Sequence, residues 1–197
     1  MFLSTSMRKI FFDIETRNLF QDVGVRDPSL LDISIVCIYD SETDSYSSYL
    51  QEELKNLWPI IEKADMLIGF NSDHFDIPLL NKYYPGDITK IKSLDILNEV
   101  RKSLGRRISL DALASATLGK NKSGHGIEAT KWWKNGEIDK VRKYCIEDVK
   151  ITKELYDFAR KNNEVYYIDA RTKKKIKLDT SLWEKAGGES LTFTLPF

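Results

Sequence analysis

The sequence has little cysteine, no net charge and no long apolar run, and each shortage removes a class of protein. Only two cysteines occur in 197 residues, Cys37 and Cys145, both inside apolar segments. Two thiols do not make the disulfide framework of a small secreted domain, so reduced thiols and a cytoplasmic location are expected. Lys plus Arg and Asp plus Glu number 30 each, for a formal net charge of zero. No whole-chain field attracts a polyanion, and any basic surface has to be local. No apolar run reaches the roughly 20 residues that cross a bilayer, so no membrane association is expected. The opening Met1-Phe-Leu-Ser-Thr-Ser lacks the charged head and apolar core of a signal peptide, and Met7 is an alternative first residue. Repeats and low-complexity tracts are missing as well. At 42% hydrophobic and 30% charged, the chain is long enough for one globular domain with a full core and a small appendage.

What is present centres on Ile10-Phe-Phe-Asp13-Ile-Glu15-Thr16, two carboxylates inside an apolar run. The flanking residues predict a strand buried on both faces. Alternation puts Asp13 and Glu15 on one face with Phe11, and Ile10, Phe12 and Ile14 on the other. Two adjacent ionised carboxylates in apolar surroundings repel and are costly to desolvate, and hard divalent cations would compensate both effects. An acidic pair at the exposed end of a strand is the plainer explanation, so the rest of the chain decides.

In order, the pattern predicts a strand over 8–14, a loop over 17–32 and a hairpin over 33–50. An amphipathic helix follows over 52–63, with Pro59 dividing or kinking it. A buried strand over 66–70 leads to a helix from Asp76 to about Tyr84, and another strand is expected over 91–94. Asp95 caps a helix ending near Gly105, and Ser109 caps the next, which ends at Gly119. Residues 120–135 read as a mobile loop with one short helical piece. A long helix spans about 138–160. Glu164–Asp169 and Lys175–Asp179 alternate like strands around a polar turn, and 190–195 extends this C-terminal hairpin. The expected domains are 1–160 and a hairpin appendage over 161–197. The fold class is α/β, with a mixed sheet because a hairpin comes first.

Further acids sit in informative places. Asp76 falls where a strand yields to a helix, the edge at which α/β sites gather. Tyr144 and Asp148, four residues apart on the long helix, share one face. Asp95 is accounted for by capping. Phe12-Asp13-Ile-Glu15-Thr16, Asn71-x-x-x-Phe75-Asp76 and Tyr144-x-x-x-Asp148 together resemble the DEDD superfamily of 3′–5′ exonucleases, which has the ribonuclease H-like fold. The tyrosine four residues before the last aspartate is similar to the DEDDy branch, which includes the proofreading domains of family-B DNA polymerases. The histidine branch has a histidine five residues before it, where this chain has Lys143. The resemblance covers about residues 8–160. Ser109-Leu-Asp-Ala-Leu with Leu118-Gly, and Trp132-Trp before Gly136-Glu, resemble single-domain members of that branch.

The resemblance implies a ribonuclease H-like mixed sheet flanked by helices, and two-metal phosphodiester hydrolysis at single-stranded DNA or RNA 3′ ends. Asp13, Glu15, Asp76 and Asp148 are then the ligands of two Mg²⁺ or Mn²⁺ ions, with Asp13 bridging them, and Tyr144 orients the attacking water without ionising. Asp73 is the rival to Asp76, and Phe75-Asp76 has the family spacing. Glu147 faces elsewhere on its helix as a solvated charge. Stacking and phosphate contacts are expected from Asn71, Phe75 and Trp132. Further candidates are Arg101-Lys102, Arg106-Arg107, Lys120, Lys122, Trp133 and Lys134, most of them solvated faces. His125 is isolated between glycines, and Lys173–Lys175 reads as a soluble turn. Trp132 and Trp133 cannot point the same way on a helix, so one belongs to the core. The other readings are an inactive nucleic-acid-binding or adaptor module of the same fold, and an endonuclease.

Overall fold

Strand β1 (Lys9–Thr16) is the middle of a five-stranded sheet and is covered on both faces. The computed structural model describes residues 7–120 and 126–185. Strands β2 (Ile33–Asp40) and β3 (Ser45–Leu50) run antiparallel to their neighbours on one side of β1. Strands β4 (Met66–Gly69) and β5 (Ser93–Asp95) run parallel on the other, giving the order β3-β2-β1-β4-β5. This is the mixed sheet of the ribonuclease H-like fold.

The two faces of β1 divide as their alternation requires. Ile10, Phe12 and Ile14 pack into a layer with Leu57, Ile61, Leu79 and Leu80. Those side chains come from α2 (Leu54–Ile61) and α3 (Asp76–Asn81). Phe11 packs on the opposite side against the 25-residue helix α7 (Ile138–Asn162) through Cys145, Val149 and Leu155. Each fully buried Leu or Ile contributes roughly 1.5–3 kcal/mol, so the sheet is held from both sides by apolar burial.

Strand length places the acids. β4 pairs with β1 only from Lys9 to Phe11, while β2 follows β1 to Thr16. Asp13 to Thr16 therefore extend past the end of β4, beside an opening in the sheet. The Ile14 N–H, which has no β4 partner there, donates to Asp76 Oδ1 at 3.0 Å. The turn out of β4 is tight: a Cβ on Gly69 would lie 2.4 Å from Cβ of Ser72, so only glycine fits.

Several boundaries differ from the sequence expectation. The 17–32 loop contains α1 (Phe20–Val23) and a 3₁₀ turn at Pro28–Leu30. The helix expected over 52–63 opens as a 3₁₀ turn at Gln51–Glu53, and α2 runs through Pro59 without dividing. Helix α3 ends at Asn81, earlier than Tyr84. Helices α4 (Ile96–Leu104) and α5 (Leu110–Leu118) end at Gly105 and Gly119, both left-handed, as expected. The short helical piece expected within the 120–135 loop is the nine-residue helix α6 (Gly126–Lys134). Burial of its own Ala129 and Thr130 outweighs a glycine- and lysine-rich composition that argues for a loop.

The C-terminal hairpin is β6 (Glu164–Asp169) with β7 (Thr172–Lys177), so the polar stretch expected as a turn is mostly strand. The turn is only Ala170-Arg171, at φ 47° and 65°, the primed two-residue geometry that matches strand twist. Val165, Tyr167, Ile176 and Leu178 lie in the same apolar layer as Leu155 and Ala159 of α7. The strand expected over 190–195 lies outside the described residues, as do Lys122 and His125. No helix among the described residues is long and apolar enough to cross a membrane.

Candidate active site

β1 and α7 meet at the opening beside β4. Asp13 and Glu15 project from β1 towards α7, where Asp148 faces them; one carboxylate oxygen from each lies within 4.8 Å of the others. Glu15 and Asp148 are buried, and Asp13 is half-buried. Asp76 comes from the first turn of α3 and is also buried. Burial first, and the charge of Asp13 second, hold its carboxyl well above the usual carboxylate range. The four acids line one cavity of about 630 Å³ together with Tyr144.

This donor set fits hard divalent cations. It contains oxygen ligands only, three of them already gathered, with a fourth carboxyl whose ionisation is opposed by its surroundings until a positive charge is supplied. Asp13, Glu15 and Asp148 are the residues placed to hold an ion, and Asp76 adjoins them across the cavity.

The remaining candidates divide by location. Tyr144 is only 3% exposed, yet it lines the cavity one helical turn before Asp148. Trp132 packs its ring edge-on against Tyr144, 5.8 Å between centroids, and stands behind the tyrosine rather than among the cavity-lining residues. Trp133 lies under the Arg17 guanidinium at 4.9 Å; both tryptophans are half-buried against the core. Asn71 and Phe75 line the cavity. Asp73 instead accepts from Ser93 Oγ and Asn98 Nδ2 and faces α4. Most of the lysines and arginines named as substrate candidates have other partners. Lys120 pairs with Glu154, Lys134 with Asp22 and Lys102 with Glu99. Lys174 pairs with Asp169, Lys175 with Glu164, and Arg106 lies over the Tyr167 ring.

Sequence reasoning missed three contributors. Asp95 caps α4 through Leu97 N–H as expected, but it also accepts from Asn71 N–H at 2.7 Å and Asp73 N–H at 3.3 Å, bracing the loop before α3. Nothing in its local sequence marks that second task. Thr130 of α6 donates to the Thr16 carbonyl at 3.3 Å and lines the cavity. Phe20 of α1 meets Phe75 edge-to-face at 6.0 Å and forms part of the wall. Both lie in segments that read as loop.

A mixed α/β sheet with carboxylates gathered at the end of its central strand defines a ribonuclease H-like domain. The family model described as RNase_H superfamily matches residues 10–160, and the chain belongs to that superfamily. In structure it is similar to the family B DNA polymerase from the hyperthermophilic archaeon Pyrobaculum calidifontis, with TM-score 0.61 and 16% identity. The alignment covers 78% of this chain and 24% of the polymerase, so this chain spans about a quarter of the polymerase's length. At that identity the likeness is one of fold. No curated protein matches the sequence.

Proposed function

We propose that this chain is a DEDDy-type 3′–5′ exonuclease, removing nucleotides from the 3′ end of single-stranded DNA or RNA with Mg²⁺ or Mn²⁺. The observation that carries the reading is the meeting of Asp13, Glu15 and Asp148 within 4.8 Å in a cavity that Tyr144 and Asp76 also line. Asp13, Glu15, Asp76 and Asp148 hold the ions, with Asp13 facing both the α7 and the α3 acid. A pair of divalent cations, when bound, activates water and stabilises the leaving oxygen of an in-line displacement. Tyr144 orients the attacking water by hydrogen bonding, which a neutral phenol can do. Asn71 and Phe75 hold the terminal nucleotide, and Trp132 fixes the Tyr144 ring. The hairpin over 161–197 is an appendage to the catalytic part over 1–160.

The test is a 5′-labelled single strand incubated with the protein and Mn²⁺ or Mg²⁺. A ladder shortening from the 3′ end, abolished by Asp148→Ala, is expected. An intact strand with either metal would sink the proposal, and cleavage of a circular strand would make the enzyme an endonuclease instead.

A further inference from the structure

The acid-lined cavity shares Phe20, Asn71 and Phe75 with an adjoining cavity of about 890 Å³, to which Arg26, His74 and Arg107 are added. Asn71 stands where the two meet and is rigidly held. Its backbone is left-handed at φ 65°, a conformation that asparagine tolerates better than most residues. Its N–H donates to Asp95 Oδ1, and its carbonyl accepts from Phe75 N–H at 3.1 Å. With the backbone fixed at both ends, the side-chain amide is aimed. Its Oδ1 accepts from Arg107 Nη2 at 2.6 Å.

Arg107 differs in what it touches from the arginines that are engaged by carboxylates or rings. Arg8, Arg17, Arg142 and Arg160 each hold a carboxylate. Arg106, its chain neighbour, turns away to stack on Tyr167 of the hairpin. Among the described residues the one hydrogen bond of Arg107 goes to a neutral amide. Its charge is therefore uncompensated there, and most of its five N–H donors stay available in a fixed fork, the geometry that grips a phosphate with two parallel bonds.

We infer that Arg107, aimed by Asn71, is a phosphate-binding residue for a phosphodiester of the strand outside the reacting centre. Resting on the exonuclease reading for the identity of its ligand, this gives the enzyme a subsite that distinguishes a strand from a mononucleotide ester. It also predicts a preference for substrates carrying at least one phosphodiester beyond the scissile one.

Two measurements separate this inference from the reading beneath it. Affinity for a fluorescent single-stranded oligonucleotide is followed by anisotropy across a salt series, for the parent chain, Arg107→Ala, Arg107→Lys and a charge-loss control, Lys55→Ala on the exposed face of α2. Arg107→Ala is expected to weaken binding about tenfold and to lower the salt slope by about 1, with Lys restoring part of the affinity and the control unchanged. Turnover of the p-nitrophenyl ester of thymidine 5′-monophosphate, which has a single phosphate, is expected to fall much less in Arg107→Ala than strand affinity does, the remaining loss coming from release of the Asn71 amide. If Arg107→Ala binds the strand like the control, the inference fails, whatever the ester shows. If binding depends on Arg107 while the parent never turns over ester or strand, the exonuclease reading fails and the phosphate site stands. If Arg107→Ala loses ester turnover in proportion to strand binding, Arg107 belongs to the reacting centre and this assignment is overturned.

Discussion

The thiol of Cys145 donates to the carbonyl of Asp13 at 3.3 Å, tying α7 to β1 directly behind the carboxylate cluster. Asp148 lies on the same helix three residues on, so this bond and the acid share a rigid frame. Burial first, and the neighbouring Cys37 second, push the Cys145 thiol well above its ordinary range, so it stays protonated and keeps its donor. Cys37 is in register with Asp13 on β2, so both thiols of the chain back the same strand position.

Cys145→Ala removes that donor and leaves a small void. The expected cost is about 1–2 kcal/mol in denaturant unfolding, with a several-fold drop in kcat as the two acid-bearing elements separate. Cys145→Ser keeps an O–H directed at the same carbonyl and should recover most of the activity. Equal activity in all three proteins would show that the bond does not position the site.

Tyr144 lines the cavity with its ring packed edge-on against Trp132. Tyr144→Phe keeps the 5.8 Å ring contact and removes only the hydroxyl. A drop in kcat of about 10²-fold with little change in KM is expected, in the range for a lost water-orienting group. Trp132→Ala should act through stability, costing about 1–3 kcal/mol, and through misplacement of the tyrosine. Steady-state kinetics paired with thermal unfolding distinguishes the two roles.

The sequence displayed the parts of this fold with strong periodicity or clear punctuation. The apolar run around Asp13, the hairpin of β2 and β3, and the glycine stops of α4 and α5 all formed near their expected positions. The motif acids were equally legible, because a strand exit and an i, i+4 helix pair fix where carboxylates point. What stayed hidden depends on tertiary contacts. The extent of α6 follows from burial of its own Ala129 and Thr130, where the local composition favours a loop with one short helical piece. The hairpin turn was legible as the polar stretch from Ala170 to Lys174, but not its length: only Ala170 and Arg171, both left-handed, form it, and an Asn-Gly pair would have marked so short a turn. Arg107 could not be separated from Arg106 by sequence, since one turns to Asn71 and the other to Tyr167.

Asp76 is costly to keep ionised in the folded chain, and the metal-binding role proposed for it needs that charge. Its charged form is disfavoured by burial and by Asp13, so its folded pKa exceeds its unfolded one. The sign follows: the metal-free protein loses stability as pH rises above the ordinary carboxylate value, and protonation restores it. Asp76→Asn keeps an oxygen to accept from Ile14 N–H and removes the charge. In chelator at neutral pH this variant is expected to melt above the parent, while its activity falls at least 10²-fold. Adding Mn²⁺ should raise the melting temperature of the parent more than that of the variant. A variant that melts below the parent in chelator would show that the carboxylate is stabilising without metal.

Glu184 lies far from the acids in sequence and controls how the C-terminal segment docks. It accepts from Lys9 Nζ at 2.7 Å and Tyr156 hydroxyl at 2.6 Å, and pairs with Arg160 at 2.9 Å. The adjoining Trp183 is buried, stacks on Tyr156 and donates to Glu99 at 3.2 Å. Burial alone would raise the Glu184 pKa, but the bonds from Lys9 and Tyr156 and the charges of Lys9 and Arg160 prevail and bring it to about 2. A folded pKa below the ordinary 4.5 means the contribution is complete above pH 4.5 and disappears as pH falls towards 2. Discounted for partial solvent screening, Glu184→Gln should cost about 1 kcal/mol at pH 7. Denaturant unfolding of the two proteins at pH 7, 4 and 2.5 should show that gap narrowing steadily. A gap that is constant across the three pH values would mean that the carboxylate's charge does not hold the segment down.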